Sequence, residues 1–438
     1  MVISVSILCM VLVIIMKLGF KLSSNKMVLP TISMIMLITM LSVGMVEDSL
    51  SSVFYIDKVC LLLTMVTLWL CSSIFQMKDS ESYSMLVLLL GLLSVLFFSV
   101  SSWLLVFTFF ELSLLPIFYG IISGGEQPER LRASKYLMLY TVIASVPLFL
   151  CISSMFQTGV TYTFDYKYLN GEKMISTMSS LGLMVAFLVK MPLFLTHSWL
   201  PKAHVESPLW GSMFLAGVLL KFGSYGLIRV LPLVNFGVWV NCLLSLSLVG
   251  AFLSAIQAMT SSDLKVVVAY SSVSHMNASL SGMLMMKCLS SKSFMMVSVS
   301  HALSASLLFY MVTMAYKMVG SRSMIVCKSI LFLIPSMVLF MFMAWSMNVG
   351  VPPSFSFLAE LYTSVCIGSV SMTFVGVLLL SIFVNSVYSM LIFGVLSHGL
   401  MSLSMSSKIT WTVSNMFTAS WMIIPSVFLF VYVELVLI

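Results

Sequence analysis

The chain has 438 residues, 61% of them hydrophobic and only 8% charged, with 39 Met, 31 Phe and a formal net charge of +7. This composition, with a mean hydropathy of +1.14, excludes a soluble globular enzyme and describes a polytopic membrane protein. The basic excess forms no patch that could engage nucleic acid; it sits in short loops, where it speaks to orientation in the lipid bilayer.

Apolar windows of about twenty residues predict an all-α polytopic membrane fold of about 14 transmembrane helices. In chain order they lie near 2–20, 27–46, 53–76, 83–100, 102–123, 136–156, 176–196, 209–231, 236–259, 264–285, 293–317, 328–348, 354–400 (one or two spans) and 415–436. The first run starts at Met1 without a basic n-region, so no cleaved presequence is expected. The longest connection, about Gln157 to Ser176, is too short for a soluble catalytic domain, and the chain reads as one membrane-embedded domain.

With these spans Lys21, Lys26, Lys78, Arg130, Arg132, Lys135, Lys202, Lys265, Lys317, Arg322 and Lys328 fall on one side. Lys58, Lys167, Lys173, Arg229, Lys287 and Lys292 fall on the other, so the first side is predicted to face cytoplasm or matrix. The eight cysteines are scattered singly and read as small buried hydrophobes, not metal ligands. No Gly-rich phosphate loop, nucleophile triad, haem pair or metal cluster is visible, so no redox cofactor is expected in this chain.

Four charges interrupt the apolar runs: Glu111, Lys190, Lys221 and Glu360. An unpaired charge at a helix centre opposes insertion by about 2.5–3.5 kcal/mol, so these groups are expected to turn inward. Burial and a nearby opposite charge push a carboxyl in opposite directions, so a Glu–Lys pair can be set close to switching. The same pair can instead be a static lock on helix register. His275 and His301 lie between Lys221 and Glu360 in the chain, and histidine takes or releases a proton near neutrality at little cost. Hydrogen bonding to the abundant serines is the alternative for either. Asp263 and Lys265 read as a local ion pair at a span end; Glu434 and His398 have no assigned role.

Two spans are broken by proline, one in each half of the chain. Lys190-Met191-Pro192 runs on to His197-Ser198-Trp199-Leu200-Pro201, and Asn348-Val349-Gly350-Val351-Pro352-Pro353 runs on to Glu360. Proline frees carbonyls that lipid cannot satisfy, and paired broken helices in corresponding positions point to a transport site. An ordinary kink is the alternative for either one alone.

The run Phe187 to Pro208, with Lys190-Met191-Pro192 and His197-Ser198-Trp199-Leu200-Pro201-Lys202-Ala203-His204-Val205-Glu206-Ser207-Pro208, closely resembles a signature of the antiporter-like membrane subunits of mitochondrial NADH:ubiquinone oxidoreductase (respiratory complex I). So do Gly211 to Gly226, including Lys221, and Asp263 to Met276. Weaker matches are Phe110-Glu111, Glu129-Arg130-Leu131, and Gly350 to Glu360, so the resemblance covers roughly residues 100 to 370. It implies a proton-pumping subunit of two inverted helical repeats, about 83–231 and 236–400, flanked by peripheral helices in 1–76 and 415–438. It further implies that Glu111 pairs with Lys190, that Lys221, His275 and His301 continue a polar axis, and that Glu360 closes it. Implied partners are the other membrane subunits of the complex, including neighbouring antiporter-like ones. The implied location is the mitochondrial inner membrane, with NADH, FMN, iron–sulfur clusters and ubiquinone handled by other subunits. Trp210 and Ala302 stand where a small residue and a glycine are expected. A stand-alone cation/proton antiporter subunit and a structural scaffold are the rival readings.

Overall fold

In lipid each backbone N–H and C=O must be bonded inside its own segment, which leaves helices as the spanning element for apolar runs of this length. The computed structural model describes residues 49–50, 54–77, 83–125, 127–158, 177–233, 238–399 and 411–434. Over these the chain is an all-α polytopic membrane protein. The spans predicted near 2–20 and 27–46 lie outside the described residues, as do Lys21, Lys26, Lys78, Lys167 and Lys173.

A two-residue antiparallel pair, Ser49–Leu50 with Tyr55–Ile56, precedes the helices. These are α1 (Lys58–Gln76), α2 (Ser84–Ser99), α3 (Trp103–Leu112), α4 (Leu114–Gly124), α5 (Arg130–Thr158), α6 (Thr177–Lys190), α7 (Trp199–Glu206) and α8 (Leu209–Phe214). A π segment (Leu215–Leu219) leads into α9 (Leu220–Val230). Then come α10 (Val238–Thr260), α11 (Leu264–Met283), α12 (Cys288–Val319), α13 (Ile330–Leu333), α14 (Pro335–Val349), α15 (Phe355–Gly368), α16 (Met372–Ser397) and α17 (Val413–Val431). Among the described residues eight helical runs are long and apolar enough to cross a membrane, and four shorter apolar helices accompany them. The stretch predicted near 354–400 resolves into two helices, α15 and α16.

The chain divides into two compact units. The first gathers the described residues as far as Met191 and those from Val218 to Gly237; the second gathers Pro192–Gly217 and those from Val238 onward. The units follow contacts and not chain order, because Pro192–Gly217 packs with the later helices.

The first unit is built on aromatic packing. Phe97 stacks on Phe222 at 4.0 Å between ring centres, and Phe110 meets Phe187 edge-on at 5.9 Å, all four rings being buried. Between membrane helices such close van der Waals contact, with small residues at the crossing, supplies most of the association energy. Gly226 of α9 is the small residue: a Cβ there would overlap the Phe187 ring of α6. Gly226→Ala should therefore cost about 1–3 kcal/mol and reduce the amount of assembled complex on a native gel.

The second unit is centred on two buried helices, α11 and α12. Of the 20 residues of α11 only Val266, Tyr270 and Ala278 are not buried, although it carries five serines. Their hydroxyls are satisfied locally: Ser271 donates to the Val268 carbonyl at 2.8 Å, Ser272 to Ala269 at 2.6 Å and Ser279 to Met276 at 2.8 Å. A serine that returns its proton to the preceding turn is compatible with a dry interior.

Candidate functional site

In the first unit Glu111 sits at the end of α3, where the helix breaks at Ser113 three residues before Pro116. Pro116 has no N–H to offer the Leu112 carbonyl, so this end is built into the sequence. Glu111 is half-buried, and its Oε1 is buried without a hydrogen-bond partner. Lys190 is the last residue of α6 and only 1% exposed. Its Nζ lies 4.0 Å from the centre of the Phe110 ring and 5.8 Å from that of Phe222, again without a hydrogen-bond partner. An ammonium over aromatic faces is attracted to them, but less strongly than to a carboxylate. The pairing implied for Glu111 and Lys190 is thus electrostatic, with no hydrogen bond closing it. Lys221 belongs to the same unit, 1% exposed, on the first turn of α9 directly after the π segment.

In the second unit the structure brings His275, His301 and Glu360 together. His275 Nδ1 is 3.4 Å from Glu360 Oε1, and the two imidazole rings are 6.3 Å apart. With Ser300, Ser304 and Asn348 they line a polar cavity with about 240 Å³ of empty space, its mouth included. The second proline break shapes this place. Gly350 ends α14 at φ +80°, a left-handed conformation that favours glycine, and a Cβ there would come within 3.2 Å of Glu360 Oε2. Ser356 Oγ donates to the Met347 carbonyl at 2.5 Å, satisfying one acceptor at the end of α14.

The first break, residues 191–198, is held by α11. Asn277 Nδ2 donates to the Pro192 carbonyl at 3.0 Å, and the Phe194 N–H donates to Asn277 Oδ1 at 3.3 Å. The far end of the same segment is fixed too. Lys265 Nζ donates to the carbonyls of Val205 at 3.2 Å and Ser207 at 3.1 Å, and Arg322 Nη1 meets Glu206 Oε1 at 3.1 Å. These bonds explain why Pro192–Gly217 packs with the later helices. Three expectations change here. Lys265 binds carbonyls instead of forming a local pair with Asp263. Arg322, counted as a loop charge, is paired with Glu206. Arg229, counted as a loop charge on the opposite side, is 3% exposed and meets Asp57 Oδ2 at 2.6 Å, because Asp57 at the start of α1 offers it a carboxylate.

A family model described as NADH:quinone oxidoreductase/Mrp antiporter, TM, matches residues 100–375. The chain is 36% identical over 349 residues to NADH-ubiquinone oxidoreductase chain 4 of Ceratitis capitata, covering 77% of each protein. This chain belongs to the NADH-ubiquinone oxidoreductase chain 4 family. In fold it is similar to a chain of respiratory complex I from Thermus thermophilus, with a TM-score of 0.89, 20% identity and 99% and 96% of the two chains covered. It is similar as well to a chain of the Mrp complex from Dietzia sp., with a TM-score of 0.85, 15% identity and 99% and 94% covered.

For a chain 4 protein, Trp210 and Ala302 were the positions of doubtful fit; both are buried within helices, at 4% and 0% exposure. Asn277 and Asn348 escape a search for charges, since an amide alters hydropathy little. The available signal is that, unlike serine, an amide in a helix cannot satisfy all its groups on the preceding turn.

Proposed function

We propose that this chain is the chain 4 core membrane subunit of proton-pumping NADH:ubiquinone oxidoreductase, a multi-pass protein of the mitochondrial inner membrane. It translocates protons while other subunits carry electrons from NADH through flavin and iron–sulfur clusters to ubiquinone. Its partners are the neighbouring membrane subunits, antiporter-like ones among them. The proton-carrying groups are Glu111, Lys190 and Lys221 in the first unit and His275, His301 and Glu360 in the second.

The observation that carries this reading is Lys190. A buried ammonium with no hydrogen-bond acceptor is high in free energy, and approach of the Glu111 carboxylate lowers it. A signal that moves the carboxylate therefore decides whether Lys190 holds its proton or passes it on. In the second unit Glu360 and His275 stand close enough to share a proton across a polar cavity.

The test uses the whole complex in sealed vesicles, driven by NADH. The double variant Glu111→Leu/Lys190→Met is expected to lose proton pumping attributable to this subunit. Intact pumping would make the pair a static lock and the chain a scaffold. Sodium-dependent proton flux without NADH would instead identify a stand-alone antiporter.

A further inference from the structure

We infer that Asn277 is a positioning residue that ties the proline break at 191–198 to the His275–Glu360 pair through the body of α11. The inference rests on the proton-carrying role proposed above for His275 and Glu360.

The break leaves two backbone groups that a continuous helix would have satisfied. The Pro192 carbonyl would have accepted from the N–H of Thr196, which instead donates to Leu193 at 3.0 Å. The Phe194 N–H would have donated to the carbonyl of Lys190. One side chain takes up both orphans: Asn277 donates to the Pro192 carbonyl and accepts from Phe194. Its second amide hydrogen goes to the Val273 carbonyl of its own helix at 2.8 Å, so three of the four hydrogen-bonding positions of the amide are occupied at 0% exposure. An amide so engaged fixes the broken segment to α11 at a set position. Leu195, next to the bonded Phe194, is held at φ +91°, which a side chain rarely adopts.

His275 lies two residues before Asn277 on the same helix. At about 100° per residue the two side chains project from nearly opposite faces. One faces the break; the other faces Glu360. α11 is thus the wall between the break and the polar cavity, and Ser274, whose hydroxyl is shared between the Ser271 carbonyl at 2.8 Å and Asn385 Oδ1 at 3.2 Å, ties it to α16 as well. Displacing the break requires either losing both Asn277 bonds or moving α11 and His275 with it. A buried helix moves as a body, so Asn277 links the two places mechanically.

The experiment measures three quantities in the whole complex reconstituted in sealed vesicles: the amount assembled, NADH:ubiquinone turnover, and protons translocated per NADH oxidised. Asn277→Leu, of similar shape but without polar atoms, is expected to lower protons per NADH while turnover per assembled complex stays at wild type. Asn277→Gln, which keeps the amide, is expected to recover part of that ratio. A wild-type ratio in assembled Asn277→Leu overturns the inference, and so does reduced assembly with an unchanged ratio, since that is what a purely structural amide would give. Should Asn277→Leu fail to assemble, Asn277→Ser is read by the same ratio. Lys190→Met separates the two levels. If it pumps normally, the proposed function fails; if it does not and Asn277→Leu does, only the role of Asn277 fails.

Discussion

Lys190→Arg should stop proton translocation by this subunit even though it keeps a positive charge at the same position. The lysine site is dry: the ammonium is 1% exposed, faces the Phe110 ring at 4.0 Å and has no hydrogen-bond acceptor. An amine in such a place can surrender its proton; a guanidinium, whose charge is delocalised over three nitrogens, stays protonated at any physiological pH. The electrostatic interaction with Glu111 survives the substitution, so helix packing and assembly are expected to change far less than pumping. The measurement is NADH-driven acidification in sealed vesicles, normalised to assembled complex. Normal acidification in Lys190→Arg would mean that Lys190 supplies a fixed charge and no proton.

Glu360→Gln should have an equally large effect by the opposite route. The amide has nearly the shape of the carboxyl and can still meet His275 Nδ1, now at 3.4 Å. Stability is therefore expected to change by about 1 kcal/mol, the net worth of one hydrogen bond. What disappears is the ability to hold a proton or a negative charge. Pumping by this subunit should be lost at normal assembly, whereas NADH oxidation in uncoupled membranes should persist. If the variant pumps like wild type, the proton leaves the His275–His301 cavity by another group.

The spans and the buried charges are legible in the sequence because lipid makes both conspicuous. Glu111, Lys190, Lys221 and Glu360 stand out in apolar runs, and two proline breaks stand beside two of them. Partner choice is not legible. Arg229 near a span end reads as a loop charge, and its partner Asp57 is 172 residues away, so only packing can reveal the pair. Lys265 sits two residues from Asp263, yet spends its hydrogen bonds on carbonyls at the end of α7, which a local reading cannot anticipate. Asn277 is hidden for a related reason: its partners are backbone groups that exist as free donors and acceptors only once the break has formed. The division into units at Met191 and Gly217 has the same origin, since it follows those bonds and not hydropathy.

The π segment at Leu215–Leu219 decides where this protein can vary in length. A π turn holds one residue more than an α turn over nearly the same rotation, so losing one residue there closes the helix into regular α geometry and leaves Lys221 on nearly its present face. Losing a residue from a regular helical stretch instead swings everything beyond it by about 100°. A one-residue deletion that would displace a buried charge elsewhere in a spanning helix is therefore expected to be absorbed by this turn.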